Sequence, residues 1–176
     1  QGLIELGALV CVPNGEPHCG ECPLSHLCRA REQGLTGEIP VRSKAKPRKI
    51  ENRTVLIFKD GKKLAVRKRP GKGLLAGLYE FPNLTGHLPM DEVTAYSKEI
   101  GLAPIRIRPL EKAKHIFSHI EWHMIGYEVI VDELEKTNEK GFLFALPEEI
   151  GKKYSIPSAF EVYVKHAGIE KPGMES

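Results

Sequence analysis

The sequence feature that most constrains the fold is a cluster of cysteines near the amino terminus. Cys11, Cys19, Cys22 and Cys28 are the only four cysteines, with the spacing C-x7-C-x2-C-x5-C. Two disulfides are one interpretation, but no secretory signal accompanies them, so a metal site is favoured. Structural zinc often uses two C-x2-C pairs, and this chain has a single pair. Four unevenly spaced thiolates, with Pro23 directly after Cys22, favour a 4Fe–4S cluster over zinc.

The composition indicates a globular protein without a membrane span. Hydrophobic residues make up 41% and charged residues 28% of the 176 residues. No apolar run approaches the roughly 18 residues that a transmembrane helix needs. Residues 1–10 lack the basic start and cleavage site of a secretory signal, and they read as an apolar helix already under way. We therefore expect a cytoplasmic protein, of which this chain begins inside a helix.

Three regions differ in composition: residues 1–30, 31–53 and 54–176. The middle region is rich in proline, glycine and charge and has no apolar periodicity, so it is expected to be an extended interdomain connector. Five basic residues lie between positions 39 and 50 without any acidic residue. This basic stretch is either a solvated linker or a segment that follows a phosphate backbone. Its members are Arg42, Lys44, Lys46, Arg48 and Lys49.

The pattern from residue 54 onward predicts an α/β (α+β) domain. Residues 54–59 and 63–69 are strand-like, and the Asp60-Gly61 pair between them is a strong hairpin signal. Residues 90–100 are helix-like and end at Gly101, a favourable helix terminator. Further strands are predicted at 104–109, 113–119, 122–131 and 142–146, and a short helix follows Pro157. This order predicts a mixed sheet with helices on its faces.

Two segments make a family resemblance recognisable. The run LGALVC, followed by CPLSHLC, resembles the iron–sulfur loop of the adenine and thymine-glycol branch of helix-hairpin-helix DNA glycosylases. That family has six residues between its first two cysteines, whereas this chain has seven, with Glu16 and no lysine or arginine among them. Residues 68–83 and 114–124 resemble the carboxy-terminal domain of MutY-type adenine DNA glycosylases, which has a Nudix (MutT-like) fold. The chain is therefore identified as the carboxy-terminal portion of a MutY-type protein.

The resemblance implies that residues 54–176 recognise 8-oxoguanine opposite the adenine to be removed. The lesion differs from guanine by a carbonyl at C8 and a proton on N7, and a serine hydroxyl can both donate and accept. Ser118 is the implied reading residue, and Phe117 and His119 flank it as further lesion- or DNA-binding residues. The alternative is that 113–119 is an ordinary strand, with Phe117 in the core. Trp122 is expected to be buried.

A Nudix nucleotide hydrolase is the rival function. Such enzymes hold Mg²⁺ with several carboxylates on one helix, in the pattern REUxEExGU. The corresponding stretch here, TAYSKEIGL at 94–102, retains Glu99 alone, beside Lys98. We therefore expect a hydrolase fold without hydrolysis. Three other carboxylates are expected at the surface: Glu80, Asp91 and Glu92.

The resemblance also implies what lies outside this chain. In the family, the two catalytic acids and the helix-hairpin-helix precede the iron–sulfur loop, and nothing in residues 1–176 matches them. The chain alone is thus expected to be inactive as a glycosylase. The expected partners are double-stranded DNA with 8-oxoguanine and the amino-terminal catalytic domain, in a monomeric, DNA-associated bacterial protein. A weaker alternative is a module that docks repair proteins.

Overall fold

The computed structural model describes residues 1–12, 14–39, 47–139 and 141–170. The chain divides into two compact units, Gln1–Lys46 and Pro47–Ser176. Among the described residues, no helix combines the length and apolar character needed to cross a bilayer.

The first unit is a small, mostly irregular segment with short helices. Helix α1 (Gly2–Leu9) confirms the predicted helix at the start of the chain. Its Leu3, Ile4 and Leu9 side chains are largely exposed. A 3-10 turn (Ser25–Leu27) leads into the single-turn helix α2 (Arg29–Glu32), so the last two cysteines flank the 3-10 turn.

The second unit is built on one mixed sheet. The described strands are β1 (Lys49–Asp60), β2 (Lys63–Lys68), β3 (Tyr79–Glu80), β4 (Asn83–Thr85), β5 (Pro104–Ile116), β6 (Ile120–Val131) and β7 (Phe142–Ala145). The main order is β3-β2-β1-β6-β5, with β4 paired to β1 and β7 to β2. Strands β1 and β6 are parallel, and the other pairs are antiparallel. The predicted mixed sheet is confirmed.

Helices cover both faces of the sheet. Alternate residues of β1 point to opposite faces, because side chains alternate along a strand. Val55 and Ile57 pack in a core that also contains residues of α4 (Pro147–Lys153) and α5 (Glu161–His166). Leu56 and Phe58 pack in a second core with Val93 of α3 (Met90–Glu99). The predicted helix ending before Gly101 is confirmed, and that glycine has φ +81°.

Two predicted boundaries differ from the structure. Strand β1 begins at Lys49, and its first residues pair with β6, so the folded unit begins earlier than residue 54. The partner strand lies about seventy positions along the chain, and a local pattern cannot reveal such a pairing. The separate strands predicted at 104–109 and 113–119 are one strand, β5, with a register shift between Leu110 and Ala113.

Candidate functional site

Residues 117–119 form the turn of the β5–β6 hairpin, which we call the reading turn. Strand β5 ends at Ile116 and β6 begins at Ile120, so the strand predicted to continue to residue 119 is wrong at its end. The Phe117 N–H donates to the Ile120 carbonyl at 2.8 Å and closes the turn. Ser118 therefore lies at a hairpin tip rather than on the face of a sheet.

The Phe117 side chain anchors the reading turn to the core. Its ring meets the Trp122 ring edge to face, with centroids 5.0 Å apart, and the His115 ring at 4.6 Å. Phe117 is half-buried, whereas Ser118 and His119 are exposed. None of the hydrogen bonds between described residues engages Ser118, so its hydroxyl and N–H face solvent without a protein partner there.

The first residues of the second unit hold the reading turn from the side. Arg48 donates from Nε to the Phe117 carbonyl at 3.2 Å. The Lys49 N–H donates to the His119 carbonyl at 3.1 Å. The carbonyls on either side of Ser118 are thus both occupied by the segment that enters β1.

A charged network surrounds Trp122, which is fully buried as predicted. The Trp122 indole Nε1 donates to Glu51 at 3.1 Å, and the Arg53 guanidinium lies 4.2 Å from the centroid of the Trp122 ring. Arg53 also donates to Glu51 at 3.0 Å and to Asn83 at 2.9 Å. Hydrogen bonds from Arg53, and then from Lys49, lower the pKa of the Glu51 carboxyl. This network joins the start of β1 to the strand behind the reading turn.

Glu80 is buried, and the expectation that it lies at the surface is wrong. Its exposed fraction is 2%, and it accepts from Arg67 at 3.0 Å and from Arg69. Arg67 and Glu80 are register partners across β2 and β3. The ion pair that allows Glu80 to be buried can therefore be recognised only once those two strands are aligned. These groups line a cleft of about 370 Å³ with four basic side chains, Arg53, Arg67, Lys68 and Arg69. Asp91 and Glu92 are exposed, as expected.

Helix α3 occupies the place of the hydrolase motif. Lys98 and Glu99 are exposed on its last turn, and the Ser97 hydroxyl is buried and donates to the Val93 carbonyl at 2.7 Å. A metal-binding face would need further carboxylates at residues 95 and 98, which are alanine and lysine. The helix therefore packs as a structural element and offers one carboxylate at the motif positions.

The four cysteines of the first unit line one cavity. Cys11, Cys19, Cys22 and Cys28 surround a space of about 70 Å³, together with apolar side chains. All four are free thiols, with Cys11 exposed and the others half-buried. Within the described residues, no three cysteine, histidine or carboxylate side chains are grouped so that they could hold one metal ion.

The basic stretch lies partly outside the described residues. Three of its members lie outside the described residues: Arg42, Lys44 and Lys46. Arg48 and Lys49 are described, and both contact the reading turn.

Comparison with known proteins matches residues 53–166 to the NUDIX domain family. An adenine DNA glycosylase of Arabidopsis thaliana is 31% identical over 171 residues, covering 81% of this chain and 27% of that protein. The human adenine DNA glycosylase is 27% identical over 173 residues, covering 69% of this chain and 31% of that protein. The chain thus spans about a third or less of these relatives. They come from a plant and from human, and lend no support to the expected bacterial source.

Among solved structures, the chain is similar to the C-terminal domain of mouse MUTYH, determined in complex with human PCNA. The TM-score is 0.52 at 22% identity, and the match covers 72% of this chain and 94% of that one. At this identity the likeness concerns the fold, which is that of the second unit.

Proposed function

This chain belongs to the NUDIX domain family, and we propose that it is the lesion-reading portion of a MutY-type adenine DNA glycosylase in base excision repair. The observation that carries the proposal is the exposed reading turn, whose Ser118 engages none of the described hydrogen-bonding groups. The similarity to two adenine DNA glycosylases supports it.

The reading turn has the chemistry needed to distinguish 8-oxoguanine from guanine. The lesion presents an acceptor at C8 and a donor at N7, where guanine presents only an acceptor at N7. The Ser118 hydroxyl can donate to one atom and accept from the other, and the Ser118 N–H is a second donor. Phe117, anchored on Trp122, keeps the turn from collapsing onto the sheet. Ser118 is thus the proposed reading residue, and Phe117 shapes the turn.

Basic side chains are proposed to provide affinity that does not depend on the base sequence. Arg42, Lys44 and Lys46 of the connector are proposed to follow a DNA phosphate backbone, and exposed His119 to contact a phosphate beside the lesion. Phosphate contacts position a protein on the duplex, whereas contacts to base edges carry discrimination. The proposed partner is accordingly double-stranded DNA that contains 8-oxoguanine.

Removal of adenine is proposed to belong to a catalytic domain outside this chain. Glycosylases flip their target base into a pocket and need a general acid to protonate it. This chain is proposed to approach the opposite strand, where the lesion lies. Tethering to a catalytic domain would raise its effective concentration at the mispair and make a modest preference useful.

A 4Fe–4S cluster is proposed for the cysteine cavity of the first unit. Cys11, Cys19, Cys22 and Cys28 would be its ligands, since all four line one cavity with few other polar groups. A cluster distributes its thiolates over several irons, and therefore suits cysteines that are not grouped around one ion. When bound, it would tie the irregular loop together, because the thiolates come from both ends of residues 11–28. Reconstitution should give about four irons and four sulfides per chain, and Cys19→Ser should lose both; stoichiometric zinc without sulfide would contradict the proposal.

The function is tested by binding the full chain to two duplexes that differ only in the base opposite adenine, 8-oxoguanine or guanine. One or two hydrogen bonds to a base edge correspond to about 1–3 kcal/mol, which is a preference between roughly fivefold and a hundredfold. Ser118→Ala should remove the preference and leave the salt-dependent background affinity intact. Ser155→Ala, an exposed serine outside the reading turn, is the matched control. Equal binding of both duplexes by the unmodified chain would overturn the proposal.

A further inference from the structure

We propose that Arg48 is a positioning residue that sets the lesion preference by holding the peptide group in front of Ser118. The inference rests on the proposed function, because it explains how the reading turn keeps its shape. Arg48 directly precedes β1, 69 positions before the Phe117 carbonyl that accepts its hydrogen bond.

The planarity of the peptide bond explains how one hydrogen bond orients Ser118. The Phe117 carbonyl and the Ser118 N–H belong to a single planar unit and point in opposite directions. Arg48 donates to that carbonyl at 3.2 Å, so the unit cannot rotate without breaking the contact. The Ser118 N–H is thereby directed away from Arg48 and the start of β1. Like the His119 N–H, it engages no other described group.

The opposite side of the turn is held by the backbone rather than by a side chain. The Lys49 N–H donates to the His119 carbonyl at 3.1 Å, and any residue except proline can make that bond. The Phe117 N–H closes the hairpin on Ile120 in the same way. The bond from Arg48 is therefore the contact to the turn's backbone, among the described residues, that depends on a particular side chain.

The chemistry of arginine separates positioning from simple attraction to phosphate. The Nε of arginine is a fixed donor close to the chain, whereas lysine carries its charge at the end of a flexible stem. Arg48→Lys keeps the positive charge and removes the Nε donor. A phosphate contact would survive that change in large part, but the hold on the Phe117 carbonyl would not.

The bond is exposed to solvent, and its contribution to the free energy of unfolding is accordingly small. Its effect should appear in discrimination rather than in stability. Arg48→Lys and Arg48→Ala should each lower the ratio of affinities for the 8-oxoguanine and guanine duplexes about fivefold, the change that corresponds to one ordinary hydrogen bond. The midpoint of urea unfolding should stay the same.

The experiment measures dissociation constants of the full chain for both duplexes at several salt concentrations. Lys62→Ala, which removes an exposed charge at the opposite end of β1, is the matched control. Arg48→Lys is expected to lower the ratio of the two affinities without changing how either affinity depends on salt. Adding Arg48→Ala to Ser118→Ala should cause no further loss of the ratio, because Arg48 acts through residue 118 and Ser118→Ala already removes the preference.

Two results would overturn this inference and leave the proposed function standing. In the first, the preference for the 8-oxoguanine duplex is lost in Ser118→Ala but kept in Arg48→Ala. The other is equal weakening for both duplexes in Arg48→Ala with a salt slope smaller by about one, while Arg48→Lys behaves as the unmodified chain; that pattern marks a phosphate contact. A ratio of one in the unmodified chain would instead overturn the proposed function, and this inference with it.

Discussion

The Arg53 guanidinium lies 4.2 Å from the centroid of the fully buried Trp122 ring, while both side chains donate to the same carboxylate oxygen of Glu51. Arg53 and Trp122 lie on adjacent parallel strands, β1 and β6, near the end that carries the reading turn. A cation over an indole face is attracted by the negative face of the ring, and more strongly when both are shielded from water. The arrangement ties the first residues of β1 to the core under Phe117.

Replacing Arg53 with methionine should lower the free energy of unfolding by about 2 kcal/mol, since it removes a cation–π contact and charged hydrogen bonds. The buried Nε of Arg53 has no partner among the described residues, which limits the loss. Urea unfolding measures the change. Lys62→Met at an exposed turn should change stability by less than about 0.5 kcal/mol. Equal effects of the two substitutions would show that the Trp122 contact contributes nothing.

Glu51 should make stability depend on pH in the acidic range. Hydrogen bonds from Arg53, Lys49 and Trp122 lower the pKa of its carboxyl from the ordinary value of 4.5. A lowered pKa in the folded state contributes stability above the unfolded-state pKa, and that contribution is lost as the pH falls through the folded-state value.

Glu51→Gln should therefore be less stable than the unmodified chain at neutral pH, and the difference should narrow as the pH falls below about 5. Denaturant titrations at a series of pH values measure it. Glu92 is an exposed carboxylate of α3 with no ion pair to a described residue. The free energy of unfolding of Glu92→Gln should therefore vary with pH as that of the unmodified chain does. A difference that stays constant with pH would contradict the role assigned to Glu51.

Gly126 is required by the close approach of Tyr163. A Cβ at position 126 would lie 2.3 Å from Cε1 of that fully buried ring. Gly126→Ala should lower the free energy of unfolding by about 1–3 kcal/mol, the usual cost of overpacking a core. Gly71→Ala has open space around the new methyl group and is the matched control. If both substitutions were tolerated equally, the Tyr163 ring would not lie against Gly126 as the structure has it.

Helix α3 should not support hydrolysis of nucleotides. One carboxylate beside a lysine cannot hold Mg²⁺ against a diphosphate as a Nudix enzyme requires. We expect phosphate or diphosphate release from nucleoside triphosphates with Mg²⁺ to equal that of a blank. Magnesium-dependent release that Glu99→Gln abolishes would contradict this, whereas release unaffected by Glu99→Gln would indicate a contaminant.

Local signals in the sequence predicted the elements that local contacts make. Asp60-Gly61 indicated the β1–β2 hairpin, and Gly101 marked the end of α3. The reading turn escaped prediction because residues 117–119 include no glycine, proline, asparagine or aspartate, and a single serine is only a weak signal for a turn. Its backbone is contacted by Arg48 and Lys49, which lie far away in sequence.

Buried charge was also beyond local patterns. Glu80 follows a glycine-rich loop and resembles a surface carboxylate, yet Arg67 and Arg69 surround it once β2 and β3 pair. The parallel pairing of β1 with β6 brings Glu51 and Arg53 to Trp122. A charged run at the end of an apparent linker thus belongs to the folded domain.

The parallel pairing of β1 with β6 also has a kinetic consequence. Lys49 pairs with Ile120, about seventy positions along the chain, whereas β5 and β6 are joined by the short reading turn. Contacts of low sequence separation form early, because little loop entropy opposes them, while distant pairings are slow. We therefore expect the hairpin bearing Ser118 to form first and to dock on β1 afterwards. The turn proposed to inspect DNA would thus form before β1 docks and before Arg48 and Lys49 contact its backbone.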